Sequence, residues 1–169
     1  MVILGIDPGS RFTGFGVIET DGAKSSYVTS GFIRVSGDNW AERLGVIFAG
    51  VSELVQTHQP DEMSIEKVFM HRNADSALKL GQARGAAICA VISHDVPVHE
   101  YTPAEIKQSV VGKGNAAKEQ VQHMVRVLLS LPGCPQADAA DALAAALCHV
   151  NTRQLAGVLR TQLRKAKKP

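Results

Sequence analysis

The sequence predicts an α/β domain built as a mixed five-stranded sheet flanked by helices. Two short apolar runs, Val2-Ile3-Leu4-Gly5-Ile6 and Met63-Ser64-Ile65, have the length and continuity of buried strands. Ahead of residue 36 the chain shows strand-like segments interrupted by Asp21-Gly22, a hairpin signal, so it opens as an antiparallel meander. From residue 40 onward, stretches with helical spacing alternate with short strands, the pattern of parallel strands joined by helical crossovers.

Taken in order, residues 2–6 form the first strand, residues 13–20 the second and residues 24–35 the third. Gly37-Asp38-Asn39 breaks the chain. Residues 40–58 form a helix with Leu44, Ile47, Phe48, Val51, Leu54 and Val55 on one stripe, stopped by Gln59-Pro60-Asp61. Residues 62–66 are the fourth strand and residues 67–73 a polar loop. Residues 74–93 form a helix rich in small side chains, including Gly81, Ala83, Gly85, Ala86, Ala87 and Ala90. Glycine inside a helix costs about 1 kcal/mol relative to alanine. The small residues therefore suit close packing on the sheet or close approach of another backbone. Residues 97–101 are the fifth strand, and Thr102-Pro103-Ala104-Glu105 is a capping box with proline at the first helical position. Gly112-Lys113-Gly114-Asn115 is a loop, residues 117–131 a helix, residues 132–135 a stop and residues 137–150 the last core helix. The order β-β-β-α-β-α-β-α gives a mixed sheet of ribonuclease H type. Residues 1–150 make a single domain, and residues 151–169 a basic C-terminal tail with the composition of a disordered terminus.

The chain has 169 residues, 45% of them hydrophobic, enough for one domain with a full core. No apolar run approaches the roughly 20 residues of a membrane span, and the opening segment lacks the basic n-region of a signal peptide. Cys89, Cys134 and Cys148 show no metal or redox spacing, which fits structural thiols in a reducing cytoplasm. The six histidines are scattered without the spacing of a metal pair, so surface or core roles are expected for them. The net charge of +2 is unevenly spread. Residues 142–169 hold six cations and no acid, whereas residues 1–141 hold 12 basic and 16 acidic groups, a net of −4. The basic end suits a polyanionic partner or a solubilising terminus. The acidic remainder is a charge that two divalent cations would neutralise.

Four acids give that remainder a focus. Asp7 ends the first strand ahead of the turn Pro8-Gly9-Ser10, and Glu66 ends the fourth strand. Asp138 and Asp141 are three residues apart at the start of an alanine-rich helix and share a face. Parallel strands carry ligand chemistry at their carboxyl ends, and a helix start laid over those ends would complete the set. Singly, each acid reads as a turn, a solvated strand end or a helix-dipole partner. Together they read as a site for Mg²⁺, which favours carboxylate and water oxygens. Paired Mg²⁺ ions about 4 Å apart suit in-line displacement at phosphorus, so phosphodiester hydrolysis is the expected chemistry. Phe69-Met70-His71-Arg72 puts an aromatic beside a cation, a combination that stacks on an unpaired base and contacts phosphate. Lys79 and Lys113 are the other cations expected at nucleic acid.

These residues resemble the RuvC family of Holliday junction resolvases over roughly residues 1–150. The resemblance rests on Leu4-Gly5-Ile6-Asp7-Pro8-Gly9-Ser10, on Ile65-Glu66-Lys67-Val68-Phe69, on the block from Asn73 to Gly85 and on Pro135-Gln136-Ala137-Asp138-Ala139-Ala140-Asp141-Ala142. The first motif alone is unspecific; the other three together are highly specific. The resemblance implies a cytoplasmic homodimer that resolves four-way DNA junctions by paired symmetric nicks in recombination and repair. It implies two Mg²⁺ per subunit, with Mn²⁺ as a substitute, and a branch-migration helicase complex of RuvA and RuvB type as partner. It puts the four catalytic and metal-holding acids on Asp7, Glu66, Asp138 and Asp141, functional lysines on Lys107 and Lys118, and a junction-contacting aromatic on Phe69. The Asp7-Pro8-Gly9 turn also looks like the phosphate hairpin of actin-like ATPases and sugar kinases. Those need a second half and a second glycine-rich hairpin, neither of which this sequence shows.

Overall fold

The sheet is mixed because its strands are joined in two different ways. Short turns link β1 (Val2–Asp7), β2 (Phe12–Asp21) and β3 (Lys24–Arg34), so these three pair antiparallel. Helical crossovers through α1 (Trp40–His58) and α2 (Ala74–Ile92) return the chain to β4 (Glu62–Glu66) and β5 (Val98–Tyr101), which run parallel to β1. The five strands lie in the order β3-β2-β1-β4-β5, which puts β1 at the centre. Then follow α3 (Pro103–Val111), α4 (Lys118–Leu128) and α5 (Ala137–Ala166). The computed structural model describes residues 1–22, 24–68 and 73–166, the last seven of these by backbone alone.

Period-two alternation along the strands feeds two cores, one on each face of the sheet. Leu4, Ile6, Val17, Met63 and Ile65 pack under α1 and α2. Ile3 and Ile18 point the other way, into a core shared with α3, α4 and α5. Gly5 and Gly14 lie beneath α5, and a Cβ on either would sit about 2 Å from the carbonyl oxygen of Ala142 or Asp138 respectively. The absence of side chains at these points lets α5 rest on the sheet backbone itself. Ser64, fully buried on β4, ties the two together by donating to the Ala145 carbonyl at 2.7 Å.

The predicted elements are present, with two informative differences. Residues 117–131 were expected to be one helix; α4 stops at Leu128, and the left-handed backbone of Ser130 (φ 52°) turns the chain while Leu129 still packs in the core. The last helix was expected to end at residue 150, yet α5 continues to Ala166. Residues 151–159 are almost all exposed, but residues 151–166 are mostly good helix formers with no proline. The end of the core is not the end of the helix. On α2 the small residues divide: Ala83, Ala87 and Ala90 are buried against the sheet, whereas a Cβ on Gly81 or Gly85 would meet nothing within 4 Å.

Candidate active site

Parallel pairing sets the first two acids side by side. Ile6 is in register with Ile65, so the next residues, Asp7 and Glu66, end adjacent strands at their carboxyl edge. The turn after Asp7 is closed by Thr13, buried on β2, whose hydroxyl donates to the Gly9 carbonyl at 3.1 Å. After Glu66 the chain is held by Arg84 of α2. Its Nε donates to the Glu66 carbonyl at 3.1 Å while its guanidinium pairs with Glu100 of β5. The other two acids arrive on α5: Asp138 lies in its first turn, directly over Gly14, and Asp141 follows at the spacing that keeps both on one face.

The four carboxyls act on one another. Burial pushes the Asp7 carboxyl up from 3.8 to about 8, and the charges of Asp141, Glu66 and Asp138 push in the same direction, against a smaller pull from Lys118. Burial and Asp141 likewise raise Glu66, with Lys107 and Lys118 opposing. Lys118, at the start of α4, forms an ion pair with Asp141 at 2.6 Å, a contact that raises its own pKa. Glu66, Asp141, Lys107 and Lys118 line a cavity of about 220 Å³. The four acids fit hard divalent cations: they offer carboxylate oxygens, they carry more negative charge than the two lysines offset, and the raised Asp7 pKa is a cost that a bound cation would relieve. A larger cavity of about 580 Å³ lies beside Tyr101 and Cys148 and contains none of the four acids.

Of the other expected contacts, Lys79 is paired with Asp75 one turn away at 2.7 Å on the exposed side of α2. Lys113 is exposed in the loop between α3 and α4 and does not line the carboxylates' cavity. Phe69 and Arg72 lie outside the described residues. Sequence reasoning missed Arg84 because its part is played by a backbone contact across elements, although the residue stands in the specific Asn73–Gly85 block. The histidines show no metal spacing along the chain, and His149 is a core residue as expected, but the fold brings two of them together. His99 of β5 and His149 of α5 stack with ring centroids 4.3 Å apart and meet Glu62 at the start of β4, a group able to hold a metal ion. Three separate elements supply those residues, so no spacing along the chain could show them.

A family model described as crossover junction endodeoxyribonuclease RuvC matches residues 3–149. A protein of that name from Hahella chejuensis is 61% identical over 152 residues, covering 90% of this chain and 88% of that one. Another of that name, from Shewanella oneidensis, is 58% identical over 153 residues with the same coverage. The structure is similar to that of Thermus thermophilus RuvC in complex with Holliday junction substrate, with a TM-score of 0.87 and 38% identity over 92% of this chain and 96% of that chain.

Proposed function

Since the chain belongs to the RuvC family of crossover junction endodeoxyribonucleases, we propose that it resolves four-way DNA junctions by paired symmetric phosphodiester hydrolysis, in recombination and repair in the cytoplasm. The observation that carries this reading is the convergence of Asp7 and Glu66 with the α5 acids, where burial first, and then the charges of Asp141, Glu66 and Asp138, raise the Asp7 carboxyl to about 8. Asp7, Glu66, Asp138 and Asp141 hold two Mg²⁺ per subunit, or Mn²⁺ in their place. When bound, such ions activate water and neutralise charge at the leaving oxygen. Asp7, which ends the central strand beside Glu66, would be among the carboxylates that hold such ions. Lys107 and Lys118 stand on the cavity beside the acids and offset phosphate charge. Phe69, Arg72, Lys79 and Lys113 contact junction DNA.

A junction has two equivalent strands to cut and one chain has one set of acids, so the working unit is a two-fold dimer. The α2 stripe Leu78, Gly81, Gly85, Cys89 and Ile92 supports this: Leu78 is 68% and Ile92 53% exposed, and the glycines allow close backbone approach. Ala86, which the sequence also offered to that surface, leans partly on the sheet core. A branch-migration helicase complex of RuvA and RuvB type is the expected partner at the junction. The test is a mobile four-way junction incubated with the protein, with and without Mg²⁺. Paired nicks at symmetric positions, dependent on the ion, are expected. Binding without nicking would reject the enzyme reading in favour of a junction-binding module.

A further inference from the structure

A second group of ligand-bearing side chains lies at the far end of β4. Four residue steps of strand lead from Glu62 to Glu66, roughly 13 Å at about 3.3 Å per residue. Glu62, Ser64 and Glu66 share the face toward α5, because strand side chains alternate. Ser64 is in register with His99 on β5, and His149 reaches the same spot from α5. The ligand atoms of Glu62, His99 and His149 all lie within 4.8 Å of one another. His99 Nε2 is 3.4 Å from Glu62 Oε2, and His149 Nε2 meets that same oxygen.

We propose that Glu62, His99 and His149 form a metal site that takes one zinc-class divalent cation, separate from the four-acid centre. Two imidazole nitrogens and one carboxylate oxygen, with water in the fourth position, are a donor set Zn²⁺ accepts and Mg²⁺ does not favour. The surroundings are arranged as metal-binding imidazoles require. His149 is 1% exposed, and its other nitrogen, Nδ1, lies 2.7 Å from the Tyr101 hydroxyl. Tyr101 has a second partner in Thr152, whose own hydroxyl donates to the Cys148 carbonyl and so keeps a lone pair for Tyr101. A carboxylate can only accept, so in the metal-free protein a neutral His149 turns its Nε2 proton to Glu62 and its Nδ1 accepts from the Tyr101 hydroxyl. On binding, that proton passes to Nδ1 and is accepted by the Tyr101 oxygen, the Tyr101 proton turns to Thr152, and Nε2 offers its lone pair to the cation. No proton is gained or lost by the pair. Arg153 engages Oε1 of Glu62, leaving Oε2 turned to the histidines. His99, with 40% of its side chain exposed, leaves an open side for entry and for water. A bound cation would tie β4 and β5 to the middle of α5, the helix whose first turn presents Asp138. This site does not rest on the nuclease reading.

The experiment is Co²⁺ titration followed by visible absorption, with thermal melts in Zn²⁺, both in excess Mg²⁺ to fill oxygen-donor sites. One equivalent should give the intense bands of four-coordinate nitrogen ligation, and Zn²⁺ should raise the melting temperature. Both effects should vanish in His99→Ala, and Glu62→Gln should weaken Co²⁺ binding at least about tenfold. The Glu62→Gln titration decides the matter should His99→Ala melt below the metal-free wild type. Absence of bands, or bands unchanged in these variants, would overturn the proposal. So would bands that survive in them but disappear in Asp7→Asn or in Cys89→Ser, which would put the metal on the acids or on a thiol.

Discussion

Asp7 gathers the electrostatic cost of the candidate site, and its stability should show it. Its carboxyl holds a proton in the folded chain up to about pH 8, whereas an ordinary aspartate releases it near 3.8. The folded state therefore binds more protons between those values, and stability falls as pH rises through that window. Each tenfold change in proton affinity is about 1.4 kcal/mol, so in chelator at pH 8 the destabilisation is of the order of a few kcal/mol. Asp7→Asn has no such proton to lose. It should melt above wild type at pH 8 in chelator, the gap closing toward pH 4 and shrinking when Mg²⁺ is added. Equal melting temperatures across that range would mean that neither burial nor the neighbouring carboxylates raise the Asp7 carboxyl. Arg84 gives a second test at this scale. Arg84→Ala removes the donor to the Glu66 carbonyl and the pair with Glu100. Cleavage should fall by about ten- to a hundredfold from misplacement of Glu66, with a stability loss of about 1–2 kcal/mol. Arg84→Lys should recover little, since an ammonium cannot span both partners.

At the scale of elements, α5 and the strand glycines make the site together. Gly14 lies directly under Asp138, so Gly14→Ala must lift the first turn of α5 off the sheet. We expect a loss of about 1–3 kcal/mol from overpacking together with a larger proportional loss of cleavage, measured by chemical denaturation and by nicking on one preparation. Gly133→Ala, where a Cβ meets nothing within 4 Å, is the control and should leave cleavage intact. Much of this layer was legible in the sequence. Asp7 and Glu66 follow apolar strands, and Asp138 and Asp141 open an alanine-rich helix, so local pattern announced each position. The role of Gly14 was not legible, because its reason is a helix well over one hundred residues away. Likewise, the length of α5 was hidden because apolar pattern reports burial, and the helix runs on past Val150 although residues 151–159 are almost all exposed.

At the scale of the molecule, two ends of one sheet carry different chemistry: carboxylates alone at the carboxyl ends of β1 and β4, and two imidazoles from β5 and α5 beside Glu62 at the start of β4. The first is readable from motifs; the second arises only when β4, β5 and α5 are assembled. Among the described residues no helix is long and apolar enough to cross a membrane. Assembly should run through α2: Leu78→Glu, at an exposed position, should yield monomers in micromolar sedimentation with little change in melting temperature. A dimer unaffected by it would move the interface elsewhere. The most direct test of the central claim, that four carboxylates form one divalent-cation centre for strand cleavage, is Mn²⁺ binding and junction nicking measured on the same samples of wild type and Asp7→Asn. The account predicts that Asp7→Asn still binds the junction, loses the Mn²⁺ that wild type holds and makes no nicks. Nicking by Asp7→Asn at near the wild-type rate would contradict it.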